Sequence, residues 1–167
     1  MSILSRTRIL CHFLKGPTRP LLLQSLSSSY NNNTTKDPRK MSRSEWKRIL
    51  EPQIFDVVRN KGTEPPFSSE FNDLKSSGKY LCVCCSQTLF NSEDKYDSGS
   101  GWPSFTAPSD DDSVKTLQDK SHGMIRTEVL CHNCGAHLGH VFQDGPSHEK
   151  PLRYCINGVA LKFDSKF

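Results

Sequence analysis

The sequence predicts a mainly β domain of antiparallel strands behind a small helical entry. After Pro65-Pro66, short segments rich in β-branched and aromatic residues, separated by Gly, Asn, Asp, Ser and Pro, run to the end of the chain. Helical signals are confined to the stretch between Ser42 and Gly62. The 167 residues show no internal repeat and fit one domain with an appendage, long enough to bury a core without disulfides.

The elements follow in chain order. Ser44 to Leu50 reads as a short helix that Ser42 or Ser44 can cap. A second short helix is expected from Pro52 to Asn60, with Pro52 at a first helical position and Gly62 as the stop. Strands are expected at Lys79 to Cys82, Met124 to Cys131, His140 to Gln143, Leu152 to Asn157 and Val159 to Phe163. The run Asp110-Asp111-Asp112 reads as a solvated turn.

Charge divides the chain. Residues 1–40 carry seven basic residues against the single acid Asp37, a net of +6; residues 41–167 carry 15 basic and 17 acidic residues, a net of −2. A nucleic-acid footprint would have to lie in the folded domain, and the balance there is acidic, so that partner is not expected. Nor does any stretch approach the roughly 20 apolar residues of a membrane-spanning helix. The first 35 residues contain no acid and are rich in Arg, Leu and Ser, which is the composition of a transit peptide. The apolar run Ile9 to Leu14, broken by His12, is short for a secretory signal. An ordinary disordered tail has a similar composition. Residues 1–40 are therefore expected to be a transit or disordered segment, directing the chain to the mitochondrion, with the plastid or a cytosolic form begun at Met41 as alternatives.

Two CxxC pairs, Cys82/Cys85 and Cys131/Cys134, carry the strongest local signal. Thiolates three residues apart on a tight turn converge on one point, and two such turns complete a tetrahedron around zinc. A lone pair would leave a thioredoxin-like redox site as a rival, but neither pair sits in a βαβ pattern. Disulfides are disfavoured in a reducing matrix or cytosol. One structural zinc is expected, with no position left open for water. Cys84 is a third thiol within the first pair and stays unassigned.

Near the C-terminus, Arg153, Cys155 and Asn157 alternate along one predicted strand and would share a face. A cation beside a thiol favours the reactive thiolate. A small buried core residue is the bland reading of the same cysteine. Upstream, Trp102 follows the glycine-rich Asp97-Ser98-Gly99-Ser100-Gly101, and is either a core plug or an aromatic wall for a ligand.

Taken together, Cys82/Cys85, the GWPSF segment at 101–105, SHGMIRTEV at 121–129, Cys131/Cys134, HLGHVF at 137–142 and RYCIN at 153–157 closely resemble the methionine-R-sulfoxide reductase family, MsrB. The resemblance runs from about Trp46 to Phe163 and assigns residues 41–167 to one catalytic domain. It implies two antiparallel sheets in a tent-like fold with a structural zinc, and reduction of the R epimer of methionine sulfoxide in proteins. It also implies that Cys155 attacks the sulfoxide sulfur and is left as sulfenic acid. A proton donor is needed at the sulfoxide oxygen, and His140 is preferred to His137 for it. Asp144 and Arg153 would pair to orient the pocket and favour ionised Cys155, Trp102 would pack on the substrate's methyl group, and Asn157 would position substrate or water. His122, His132 and His148 read as surface or loop residues.

One departure stands out: many members carry a resolving cysteine where this chain has Ser100. Regeneration must then use another internal thiol, Cys84 or Cys11, or an external one such as thioredoxin or glutathione; the external route is expected. The implied partners are oxidised proteins and a thiol reductant, acting on a monomer. The rival from another class is a non-catalytic zinc-binding β module with a binding or chaperone role.

Overall fold

The computed structural model describes residues 36–166. The basic leader over residues 1–35, with Cys11, lies outside them, as does the side chain of His122. Helix α1 spans Arg43–Ile49 and begins in a capping box, in which the Ser42 hydroxyl accepts from Glu45 N while the Glu45 carboxylate accepts from Ser42 N. Helix α2 spans Pro52–Asn60 and opens on the expected proline. Its stop differs from the expectation. Lys61, not Gly62, takes the left-handed conformation, with φ of 59°, and Gly62 N donates to Asp56 O.

Nine strands follow: β1 (Lys79–Cys82), β2 (Thr88–Asn91), β3 (Lys95–Tyr96), β4 (Ser104–Phe105), β5 (Val114–Asp119), β6 (Arg126–Cys131), β7 (His137–Phe142), β8 (Arg153–Ile156) and β9 (Leu161–Asp164). They form two sheets whose pairings are all antiparallel, a small one ordered β2-β1-β9 and a larger one ordered β3-β4-β8-β7-β6-β5. The predicted fold class is the observed one. Strand β7 starts three residues earlier than expected. Strand β9 starts two residues later, because Gly158–Ala160 form a 3₁₀ turn. Among the described residues no helix is long and apolar enough to cross a membrane.

An aromatic cluster joins the two sheets. Tyr80 and Phe90 of the small sheet meet Phe105 of the large one with ring centroids 4.9 and 4.4 Å apart, and Tyr154 of β8 stands 5.8 Å from Phe90. Phe90 and Phe105 are fully buried and stacked. The α1–α2 entry packs onto the sheet body: the Arg59 guanidinium lies 4.3 Å above the Trp46 ring, and its Nη1 donates to Cys134 O.

Phe90 lies in the small sheet, while β7 and β8 belong to the large one, so its loss reads out packing between the sheets. Phe90→Ala is expected to cost about 3–5 kcal/mol. Denaturant unfolding would show this as a lower midpoint with an unchanged slope.

Candidate functional site

The register of the large sheet assembles the site. Directly opposed residues share a face, and Ser104 opposes Cys155, Cys155 opposes His140, and His140 opposes Glu128. This places Ser104, Cys155, His140 and Glu128 in one row across four strands. His137 joins them through an irregularity. Residues three apart on a regular strand face opposite sides, but the β6–β7 register shifts between Val129 and Leu130. The bulge turns His137 onto the face of His140, with their rings 5.5 Å apart. Gly139, between the histidines, has a steric reason to be glycine: a β-carbon there would lie 2.1 Å from the carbonyl oxygen of Cys155.

The Cys155 sulfur sits at the end of a chain of hydroxyls. Ser104 Oγ and Ser98 Oγ are 2.8 Å apart, Ser98 donates to Ser100 Oγ over 2.9 Å, and Ser100 Oγ is 3.8 Å from Sγ. Arg153 donates to both oxygens of Asp144, at 2.9 and 2.7 Å, and its guanidinium lies 4.7 Å above the Phe142 ring. This is the expected charge-assisted pair, and it holds the Asp144 carboxyl below its ordinary range. The thiol itself departs from expectation. Burial raises it above an ordinary cysteine, and the Ser100 hydroxyl and the Arg153 charge offset that only in part. At rest Cys155 is a thiol.

Each histidine has a carboxylate partner absent from the sequence reading. His140 Nε2 is 2.9 Å from Asp119 Oδ2. An ionised carboxylate only accepts, so this nitrogen carries a hydrogen. Asp119 also accepts from Ser121 N and from Arg126 Nη2, and the Ser121 amide and His140 hold it well below the usual carboxylate range. His137 donates from Nδ1 to Glu128 Oε1 at 2.7 Å, and Lys61 Nζ reaches Glu128 Oε2 at 2.7 Å. His137 and Glu128 are sealed, 2% and 1% exposed. Burial pushes His137 down more than Glu128 pushes it up. Burial pushes Glu128 up, but Lys61 and His137 together bring it below its ordinary value. His137 is thus a neutral imidazole whose buried Nε2 has no partner. His140, only partly buried, opens on the hollow that holds Cys155.

That hollow measures about 150 Å³, and its lining includes Thr63, Trp102, Arg126, His140, Cys155 and Asn157. Trp102 is half-buried, and its indole N–H donates to Glu64 O at 3.0 Å, which makes it a wall and not a core plug. Asn157 was expected to position substrate or water. It lines the hollow, is 3% exposed, and is tied at both ends of its amide, accepting from Glu64 N and donating to Leu138 O. The buried Glu64 carboxylate accepts from Gly158 N and Val159 N. Of the residues the sequence reading missed, Arg126 and Glu128 lay inside a quoted motif, and an acid alternating with apolar residues was the available signal for Glu128. Asp119 and Glu64 had none.

The four cysteines of the CxxC pairs converge apart from this face. Their sulfurs all lie within 4.8 Å of one another, with Cys82 to Cys134 at 3.7 Å and Cys85 to Cys131 at 3.6 Å. A tetrahedron with zinc–sulfur bonds of about 2.3 Å has edges of about 3.8 Å, so the set fits that ion. The two turns have the same build. The first cysteine N donates five residues ahead, Cys82 to Gln87 O and Cys131 to Ala136 O, and residues Ser86 and Gly135 occupy the same left-handed position. Cys84 is buried but is not one of the four. His132 and His148 are exposed, as expected.

Comparison with known proteins agrees with this geometry. The SelR domain model matches residues 50–165. A peptide methionine sulfoxide reductase MsrB of Hahella chejuensis is 52% identical over 129 residues, covering 77% of this chain and 92% of that protein. Proteins of the same name from Pseudomonas savastanoi pv. phaseolicola and Saccharophagus degradans are 56% and 54% identical over 117 and 123 residues, covering 70% and 72% of this chain and 88% and 90% of theirs.

The electrostatics of Cys155 can be read by alkylation. In the substrate-free protein its reaction with iodoacetamide is expected to titrate above a free cysteine, and both Arg153→Met and Ser100→Ala should move the midpoint higher still, since each removes a group that favours the thiolate. A midpoint below that of a free cysteine, or one that falls in Arg153→Met, would contradict this account.

Proposed function

The chain belongs to the SelR-domain family of peptide methionine sulfoxide reductases, MsrB, and from that premise we propose that it reduces the R epimer of protein-bound methionine sulfoxide, with Cys155 as nucleophile and an external thiol as reductant. The observation that carries this reading is the register that puts Cys155 and His140 opposite one another in a hollow walled by Trp102. The indole face takes the methyl group on sulfur, and this packing favours one epimer. Sγ attacks the sulfoxide sulfur and gives up its proton, while the sulfoxide oxygen takes one from His140. Asp119 accepts from Nε2 and holds that imidazole in place. The oxygen passes to Cys155 as sulfenic acid, and methionine leaves with its sulfur reduced by two electrons. His137, neutral and sealed against Glu128, acts as an acceptor in this scheme and not as the acid.

Regeneration needs a second thiol. Ser100 stands against Sγ but cannot form a disulfide, and Cys84 belongs to the metal turns. An incoming thiol therefore attacks the sulfenic sulfur, releasing water and leaving a mixed disulfide, which a further thiol reduces. The acid-free, Arg-rich leader supports delivery to the mitochondrion. Cys82, Cys85, Cys131 and Cys134 would hold one zinc, which supplies a crosslink between the β1–β2 and β6–β7 turns and no reactive chemistry.

Separated epimers of a methionine sulfoxide peptide are expected to show turnover of R alone, abolished in Cys155→Ser. Mass spectrometry after substrate without reductant should find Cys155 as sulfenic acid, and an internal disulfide only in Ser100→Cys. Turnover of S, survival of activity in Cys155→Ser, or a Cys84–Cys155 disulfide in the parent protein would sink the reading.

Metal analysis tests the crosslink. Purified protein should contain one zinc per chain, retained in Cys84→Ser and lost in Cys85→Ser together with cooperative unfolding. A zinc-free folded parent, or equal losses in the two variants, would refute it.

A further inference from the structure

The hollow at Cys155, about 150 Å³, falls below the range of pockets that hold a whole small ligand. It has room for the tip of one side chain, so most of a polypeptide substrate must lie outside it. A second and larger recess of about 610 Å³ shares Thr63 with that hollow. One wall is α2, through Pro52, Gln53, Asp56 and Val57; the other is the 63–68 segment, and Val159 closes it. Pro52, Val57, Pro65 and Val159 make the lining largely apolar.

Resting on the assignment of Cys155 as the reductase nucleophile, we infer that this trough is a subsite for the residues flanking methionine sulfoxide in a polypeptide, and that it selects apolar neighbours. Glu64 lies between the two recesses and makes their relation rigid. Its main-chain N–H binds Asn157, its carbonyl holds Trp102, and its carboxylate caps Gly158 and Val159. The 63–68 segment also carries Phe67, which is 73% exposed and holds a left-handed φ of 60°. An aromatic residue adopts that conformation at a cost. Its amide, donating to Gly101 O, ties it to the loop of Trp102. An exposed aromatic ring and an apolar trough on one short segment suit a flexible chain with apolar side chains, such as an oxidised and partly unfolded protein.

The test compares three R-sulfoxide substrates: N-acetylmethionine sulfoxide methylamide, a peptide with leucine and valine beside the sulfoxide, and one with glycine and serine there. The parent enzyme is expected to favour the apolar peptide in kcat/KM by about tenfold over the polar one, the scale of partly burying one apolar side chain. Gln53→Trp, which fills the trough from an exposed helix position, and Gln53→Asp, which charges it, should each remove that preference while leaving the methylamide within about twofold. A parent enzyme indifferent to the flanks, a preference that survives both variants, or a parallel fall on the methylamide would overturn the subsite. No turnover of the methylamide by the parent would instead remove the reading of Cys155 on which it rests.

Discussion

The site depends on one backbone contact, the close approach of Gly139 to the carbonyl of Cys155. A one-residue slip in strand pairing moves every side chain to the opposite face, so the chemistry survives only if β7 and β8 are held in one register. A β-carbon at residue 139 would fall 2.1 Å from the Cys155 carbonyl oxygen, and neither strand can retreat. On its other side β8 is paired with β4, and Ile156 N donates to Pro103 O just before that strand. Glycine lets the strands close, and closure sets Cys155 against His140. The bulge opposite Leu130 then adds His137 to the same face. The geometry of the candidate site is a property of main-chain packing before it is a property of side chains.

Glu64 does for the loops what Gly139 does for the strands. Three of its groups reach two segments: the Trp102 indole on one loop, and Asn157 with the amides of Gly158 and Val159 on the run that follows β8. Burial raises its pKa, and the two amide donors only partly offset that. A buried carboxylate costs free energy unless its oxygens find donors, and the amides of Gly158 and Val159 supply them. Gly158 shares the crowding, since a β-carbon there would collide with the Ser69 hydroxyl.

How much of this was legible in the sequence follows from which signals are local. The CxxC spacing predicted a converging set because three-residue turns carry their geometry with them, and a capping serine at 42 or 44 and Pro52 marked their helices for the same reason. The small strands β3 and β4 have two residues each and leave no periodic trace. Strand β5 is a largely exposed edge strand, with neither apolar alternation nor burial to betray it. Its invisibility hid Asp119, and with it the partner of His140. The pairing of His137 with His140 was equally beyond reach. Their spacing of three predicts opposite faces on a strand, and only a bulge, a non-local feature, reverses that.

The state of Cys155 shows why local reading also misjudged electrostatics. An arginine two residues away suggests a thiolate, because like-facing neighbours interact strongly. In the fold that arginine is spent on Asp144 in a bidentate pair, and what remains of its field does not offset the desolvation of the sulfur. A protonated thiol is the form less open to stray oxidation, and the proposed reaction tolerates it. In the proposed reaction one proton leaves Sγ and one arrives at the sulfoxide oxygen, so reduction to sulfenic acid would be proton-neutral overall. The hydroxyl chain from Ser104 through Ser98 and Ser100 and the Asp119-held imidazole face the same sulfur region from β4 and β7. In the proposed reaction, ionisation of Cys155 need occur only with substrate in the hollow.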